Sequence, residues 1–249
     1  MAQDSEDTEK RMSFWDHLEE LRWVILKSLG VLAVATGLGF TLTGTVYRAL
    51  EWPLARVRDR VDLMYTTPMA GFLVQIKLAL LAGAVIAAPF ILGFAWSFVA
   101  PGLKSEERRV VWFGVGMGFV FFCAGVAFGY LLLPWGIAFL VSLGSQNIRQ
   151  LWSVDGYISF CLQLLLGFGI VFQLPVVLTI LLRLGLVQVQ TLSKGRPYAV
   201  VLIFITSAVL TPTTDIITQA AMAVPLLILY ETSILIGRWF ERQQARTPD

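Results

Sequence analysis

Hydrophobic positions in this chain run in long blocks separated by short polar knots. Residues 28–47, 78–103, 110–148, 156–182 and 197–214 contain no Asp, Glu, Lys or Arg. A helix needs about 20 mainly apolar residues to cross the hydrocarbon core of a bilayer. The pattern therefore predicts six membrane-spanning helices, near 23–45, 72–99, 110–133, 156–183, 197–213 and 217–237. The third block is too long for one span, and Pro134 and the polar run SLGSQN (142–147) are expected to end its helix. Pro197 and Pro212 trim the fifth span, so it is expected to be short. The sixth is also expected to be short, and the bilayer to thin around both. Residues 46–71, with Pro53 and Pro68, are expected to fold back as short helices on the outer face.

Composition agrees with the pattern. The 249 residues are 57% hydrophobic and 14% charged, whereas a soluble domain carries about 25% charge. The expected class is all-α and polytopic: a polar segment 1–22, a membrane domain 23–237 and a polar tail 238–249. No apolar stretch precedes Trp23, so no cleavable signal peptide is expected. Lys and Arg distribute thirteen to one side of the six spans and five to the other, with Lys77 inside the second span. The positive-inside rule then places both termini in the cytoplasm. Cys123 and Cys161 lie in apolar segments without metal-ligand spacing and are expected to be core residues. GVGMG (114–118) and GVAFG (125–129) each hold a G-x-x-x-G spacing, which lets helices approach closely.

Enzyme signatures are missing. With a single histidine, His17, a His-rich metal cluster is excluded, and no Ser-His-Asp triad is expected. His17 is expected to be an interfacial polar residue. No phosphate-binding loop is present, and no cofactor, metal or nucleic acid is expected. Few ionisable groups fall near the spans: Lys77, Asp155, Asp215 and Glu231. Lys77 can snorkel, Asp155 and Asp215 can cap helices, and Glu231 can reach water or Arg238. Gln173 is the neutral polar residue in mid-span, able to hydrogen-bond another helix. The more specific feature is acidic. Glu19 and Glu20 precede the first span, and Glu106 and Glu107 precede the third. Placement at helix N-termini explains such pairs at about 0.3–1 kcal/mol each. The alternative is an acidic pocket for a basic ligand, since carboxylates take guanidinium bidentately.

Several segments resemble one family in the right order. HLEELRW (17–23) resembles the H-L-x-E-L-R opening of TatC, the C subunit of the twin-arginine protein translocase. FVAPGLKSEERR (98–109), RPYAV (196–200) and LTPTTDIITQ (210–219) resemble its F-x-x-P-x-L-x-x-x-E-R-R loop, its fifth-span opening and its T-P-x-x-D segment. The resemblance covers about residues 14–240. It implies a curved, glove-like arrangement of six helices in a bacterial, archaeal or organellar energy-transducing membrane. It implies a receptor for twin-arginine signal peptides of folded cargo, working in an oligomeric complex with single-span TatA-like and TatB-like subunits and driven by the proton-motive force. Carried over residue by residue, Glu20, Glu107, Arg22 and Phe98 would form the signal-peptide surface. Pro53 and Asp215 would be functional on the outer face. Where many members have glutamate in the fourth span, this chain has Gln173, expected to contact a partner helix. The competing readings are an ion-coupled secondary transporter of a small solute and a purely structural scaffold.

This topology predicts a labelling pattern. Thiols introduced singly at positions 5, 105, 190 and 245 should react only from the cytoplasmic side, and those at 58 and 148 only from outside. Labelling of position 105 from outside would overturn the assignment.

Overall fold

The computed structural model describes residues 14–57, 59–99, 108–144, 148–183, 187–210 and 216–244. It is built almost wholly of helices: α1 (Phe14–Gly39), α2 (Thr43–Leu54), α3 (Ala70–Val99), α4 (Arg108–Ser142), α5 (Val154–Val171), α6 (Leu174–Arg183), α7 (Val189–Lys194), α8 (Arg196–Leu210) and α9 (Ile216–Gln244). Five stretches are long and apolar enough to cross a bilayer: 17–54, 70–98, 114–142, 154–182 and 222–239. The remaining predicted span, the fifth, is the shorter apolar helix α8. Its 15 residues extend ~22 Å, below the ~30 Å of the hydrocarbon core.

Several boundaries differ from the sequence expectation. The first helix does not stop at 45. A single 3-10 turn at Phe40–Leu42 joins α1 to α2, which continues to Leu54. Pro134 does not end α4, which continues to Ser142, where the polar run begins. A proline removes one backbone bond, and the surrounding helices hold the rest of the ladder in place. The fourth span is interrupted at Phe172–Gln173, between α5 and α6. Pro175 supplies the reason: it has no amide to donate to the Val171 carbonyl. Around the break Gln173 N turns to the Ile170 carbonyl at 3.0 Å.

Residues 46–71 form part of α2 and then a strand, β1 (Val61–Met64), rather than short helices alone. β1 pairs in parallel with β2 (Gln150–Ser153), Val61 opposite Gln150 and Met64 opposite Ser153. The α3–α4 hairpin between them is the crossover that a parallel pair requires. Arg149 clasps Asp62 at 2.6 and 2.9 Å across this small sheet. Both side chains are about half exposed, so the pair adds only ~0–1 kcal/mol.

The core lies around α5. Ile158, Cys161, Leu164 and Phe168 are buried there against Leu78 of α3 and Leu133 and Ile137 of α4. Phe128, Phe168 and Phe172 add edge and tilted ring contacts. Apolar side chains alone give little preference for a helix neighbour over lipid, so close approach of small residues matters more. A Cβ on Gly83 of α3 would come 2.6 Å from the Thr36 amide nitrogen of α1, and one on Gly39 would strike the Ala79 carbonyl. Gly125 and Gly129 of α4 lie against the backbone of α5 at Phe168 and Leu164. The second G-x-x-x-G spacing is therefore a helix-packing device, as its spacing predicts. In the first, Gly114 and Gly118 face neighbouring side chains, whereas Gly116 has nothing within 4 Å.

Gly125→Ala forces its methyl into backbone, which cannot move aside. It should destabilise the fold by about 1–3 kcal/mol, in the range for overpacking. Gly116→Ala on the same helix should be neutral or slightly stabilising, because open space leaves only its better helix propensity. Melting of the two purified variants checks this, and equal shifts would contradict the assigned crossing.

Candidate functional site

Antiparallel packing of α1 on α3 brings the first turns of α1 to the last turn of α3. There the His17 imidazole stacks on the Phe98 ring, centroids 4.1 Å apart and planes 14° from parallel. His17 and Glu20 are one turn apart on α1 and so share a face. His17 Nδ1 lies 3.8 Å from Glu20 Oε2, beyond hydrogen-bond reach. That carboxylate oxygen is buried and has no hydrogen-bond partner among the described residues. A buried acceptor without a donor is costly unless a ligand supplies one. The structure thus joins three groups at one end of the molecule: Glu20, Phe98 and His17.

Other predicted residues lie elsewhere. Arg22, two positions after Glu20, is exposed and leaves α1 on a different side. Glu107 and Asp215 lie outside the described residues. The sequence places His17 only as an interfacial polar residue. Its spacing of three from Glu20 was the available signal for a shared face; the stacking partner, 81 positions away, left none.

At mid-depth, Gln173 stands at the break between α5 and α6. Its Nε2 donates to the Gly118 carbonyl of α4 at 3.1 Å and to the Gly169 carbonyl at 3.4 Å. Gly169 has lost its ordinary helical donor here, because Gln173 N has turned to Ile170. The amide hydrogens are thus committed within the chain, while Oε1 accepts no hydrogen bond from the described residues. Two further glutamines act alike. Gln163 of α5 donates to the Val209 carbonyl at the end of α8, and Gln219 of α9 donates to the Phe204 carbonyl at 2.8 Å. Neither was singled out in the sequence, since an isolated glutamine in an apolar run does not show which helix end it meets.

Pro53 is buried inside α2 at the strand end of the molecule. Lacking an amide, it leaves the Ala49 carbonyl without its helical donor. The Tyr130 hydroxyl of α4 donates to that carbonyl at 2.8 Å, and the Tyr157 hydroxyl of α5 donates to Leu50 at 2.6 Å. Proline and two tyrosines tie α2 to both neighbouring helices.

The charged residues near the spans are paired differently from expectation. Lys77 does not simply snorkel: its Nζ donates to Asp155 Oδ1 at 2.5 Å and Ser159 Oγ at 2.7 Å. Asp155 does not cap α5. Ser153 does, accepting from Gly156 N at 2.9 Å, which leaves the Asp155 side chain for Lys77. Glu231 meets Arg196 in a two-pronged pair at 2.7 and 2.8 Å rather than Arg238, which donates to Ser193 Oγ. Among the described residues no group of His, Cys, Asp and Glu could hold a metal ion.

Comparison with known proteins places this arrangement. The family model described as Sec-independent protein translocase protein (TatC) matches residues 16–225. The Sec-independent protein translocase protein TatC of Desulforapulum autotrophicum is 36% identical over 238 residues, covering 95% of this chain and 88% of that protein. That of Carboxydothermus hydrogenoformans is 35% identical, covering 95% and 97%. A crystal structure of the twin-arginine translocase receptor TatC superposes with a TM-score of 0.81 at 35% identity, over 89% of this chain and 99% of that one.

The tyrosine clasp around Pro53 yields a ranking. Tyr157→Phe removes a buried donor and should cost about 1–3 kcal/mol, the penalty of leaving one partner unsatisfied. Tyr130→Phe removes a more exposed one and should cost less. Thermal or denaturant unfolding in detergent measures both; a larger loss for Tyr130→Phe would contradict the clasp.

Proposed function

The chain belongs to the TatC family of Sec-independent protein translocase proteins, and we propose from that premise that it reads twin-arginine signal peptides at the Glu20 surface. It is a multi-pass, non-enzymatic membrane component of a translocase. The relatives named above are translocase proteins, so the secondary-transporter reading is set aside.

The observation that carries the site is Glu20 beside the His17–Phe98 stack: one carboxylate oxygen has no hydrogen-bond partner among the described residues, and the side chain is still 28% exposed. A guanidinium supplies N–H donors in a fixed fork and a charge opposite to the carboxylate. Phe98 supplies an apolar wall for the side chain that follows the arginine stem. Glu107, in the segment of the sequence between α3 and α4, is proposed to take the second guanidinium. Arg22, on another side of α1, is proposed to border this surface and to keep the segment on the cytoplasmic side, with both termini.

Partners are proposed on the same footing. Single-span TatA-like and TatB-like subunits join an oligomeric complex in an energy-transducing membrane, driven by the proton-motive force. Gln173 is proposed to accept a hydrogen bond from a partner helix through Oε1, since its amide hydrogens are already used. A carboxylate at this position would accept but not donate to Gly118, so the glutamine keeps its intramolecular tie. Pro53 is proposed to act on the outer face by shaping α2, and Asp215 to act in the last outer loop.

Titration of a labelled twin-arginine peptide into the purified protein tests the site. Glu20→Ala and Glu107→Ala should each weaken binding about tenfold or more, as expected when a hydrogen bond to a charged group is worth roughly 1.5–3 kcal/mol. Glu19→Ala and Glu106→Ala should matter less. If the latter pair proves the sensitive one in folded protein, the assignment of Glu20 and Glu107 is wrong.

A further inference from the structure

We propose that His17 is the stacking platform that makes the Glu20 site prefer a guanidinium to an ammonium. The inference rests on the receptor reading above and adds a specificity-determining residue to it. Phe98 covers one face of the imidazole. The side chain is nevertheless 49% exposed, so ring surface away from Phe98 is accessible. The ring edge stands 3.8 Å from Glu20 Oε2 and does not occupy that oxygen by a hydrogen bond. A cation that binds the carboxylate therefore lies beside an aromatic face held rigid from behind by Phe98.

Arginine and lysine meet this arrangement differently. A guanidinium is planar, weakly hydrated, and wide enough to donate to Glu20 while lying on the imidazole. An ammonium is a compact, strongly hydrated point charge with no plane to stack. Both gain the Coulomb attraction of Glu20, and only the guanidinium gains the second contact without giving up much hydration. The carboxylate alone thus attracts cations of either kind, and the His17–Phe98 stack supplies the difference between them. His17 is suited to this because its spacing of three from Glu20 fixes the ring and the carboxylate on one helical face.

The test uses the full chain in lipid nanodiscs and two labelled peptides identical except for an Arg-Arg or a Lys-Lys pair. His17→Ala should weaken Arg-Arg binding by about fivefold to tenfold, the scale of a cation–π contact, and Lys-Lys binding by less than about twofold. His17→Phe keeps an aromatic face and should hold the ratio of the two affinities within about twofold of the parent protein. His17→Gln keeps polarity without the face and should behave like His17→Ala. Equal losses for both peptides would show a merely structural role, and rescue by His17→Gln would show that hydrogen bonding matters instead; either overturns the proposal. So does an unchanged ratio in His17→Ala. Glu20→Ala in the same assay separates the two levels. If it leaves Arg-Arg binding intact, the receptor site itself is misplaced and the platform falls with it. If it abolishes binding while His17→Ala changes nothing, only the platform falls. Melting of every variant confirms that the comparison is made on folded protein.

Discussion

The structure depends on one constraint: at membrane depth, each backbone polar group that leaves the helical ladder needs a donor or acceptor from the protein itself. Three places show how this is met. Pro53 frees a carbonyl in α2, and Tyr130 fills it. The break before Pro175 frees the Gly169 carbonyl, and Gln173 fills it. The end of α8 exposes the Val209 carbonyl, and Gln163 fills it. Gln163 lies nine residues into α5, so α8 ends ~14 Å along α5 from its first residue, at 1.5 Å rise per residue. The polar residues in the spans serve the irregularities of the backbone.

Those irregularities also set the helix contacts. With lipid as apolar as leucine, helices associate where backbones approach closely. Gly39 and Gly83 bring α1 onto α3, and Gly125 and Gly129 bring α4 onto α5. The first of these crossings has a consequence at a distance. It fixes the angle and depth at which α1 meets the end of α3, and so brings His17 onto Phe98. The proposed binding surface is thereby positioned by glycines well inside the helices.

Charge is handled in the same economical manner. Lys77 with Asp155, and Arg196 with Glu231, each neutralise groups on separate helices and link α3 to α5 and α8 to α9. Glu20 is the contrast. One of its oxygens is buried without a hydrogen bond from the described residues, and the His17 imidazole stands 3.8 Å away. An acid in this condition, where charges elsewhere are paired, is what motivates the proposal of a basic ligand at Glu20.

The amino-acid sequence by itself determined the class of the protein, because charge-free blocks of bilayer length have no other stable environment. It also determined the family, through separate motifs in order, and pointed to Glu20 and Phe98 through them. The Gly125–Gly129 contact was legible in spacing alone. Other features were decided only by tertiary structure. Periodicity could place Lys77, Asp155 and Glu231 near the membrane but not name their partners, since pairing across 78 or 35 positions leaves no local trace. Pro134 suggested a helix end and Pro175 gave no warning of one. Whether a proline interrupts a helix depends on which neighbouring groups hold the ladder together, and those groups come from other helices. His17 is the clearest case. One turn of helix tied it to Glu20, but only the packing of α1 on α3 put an aromatic ring behind it and turned a lone histidine into part of a surface.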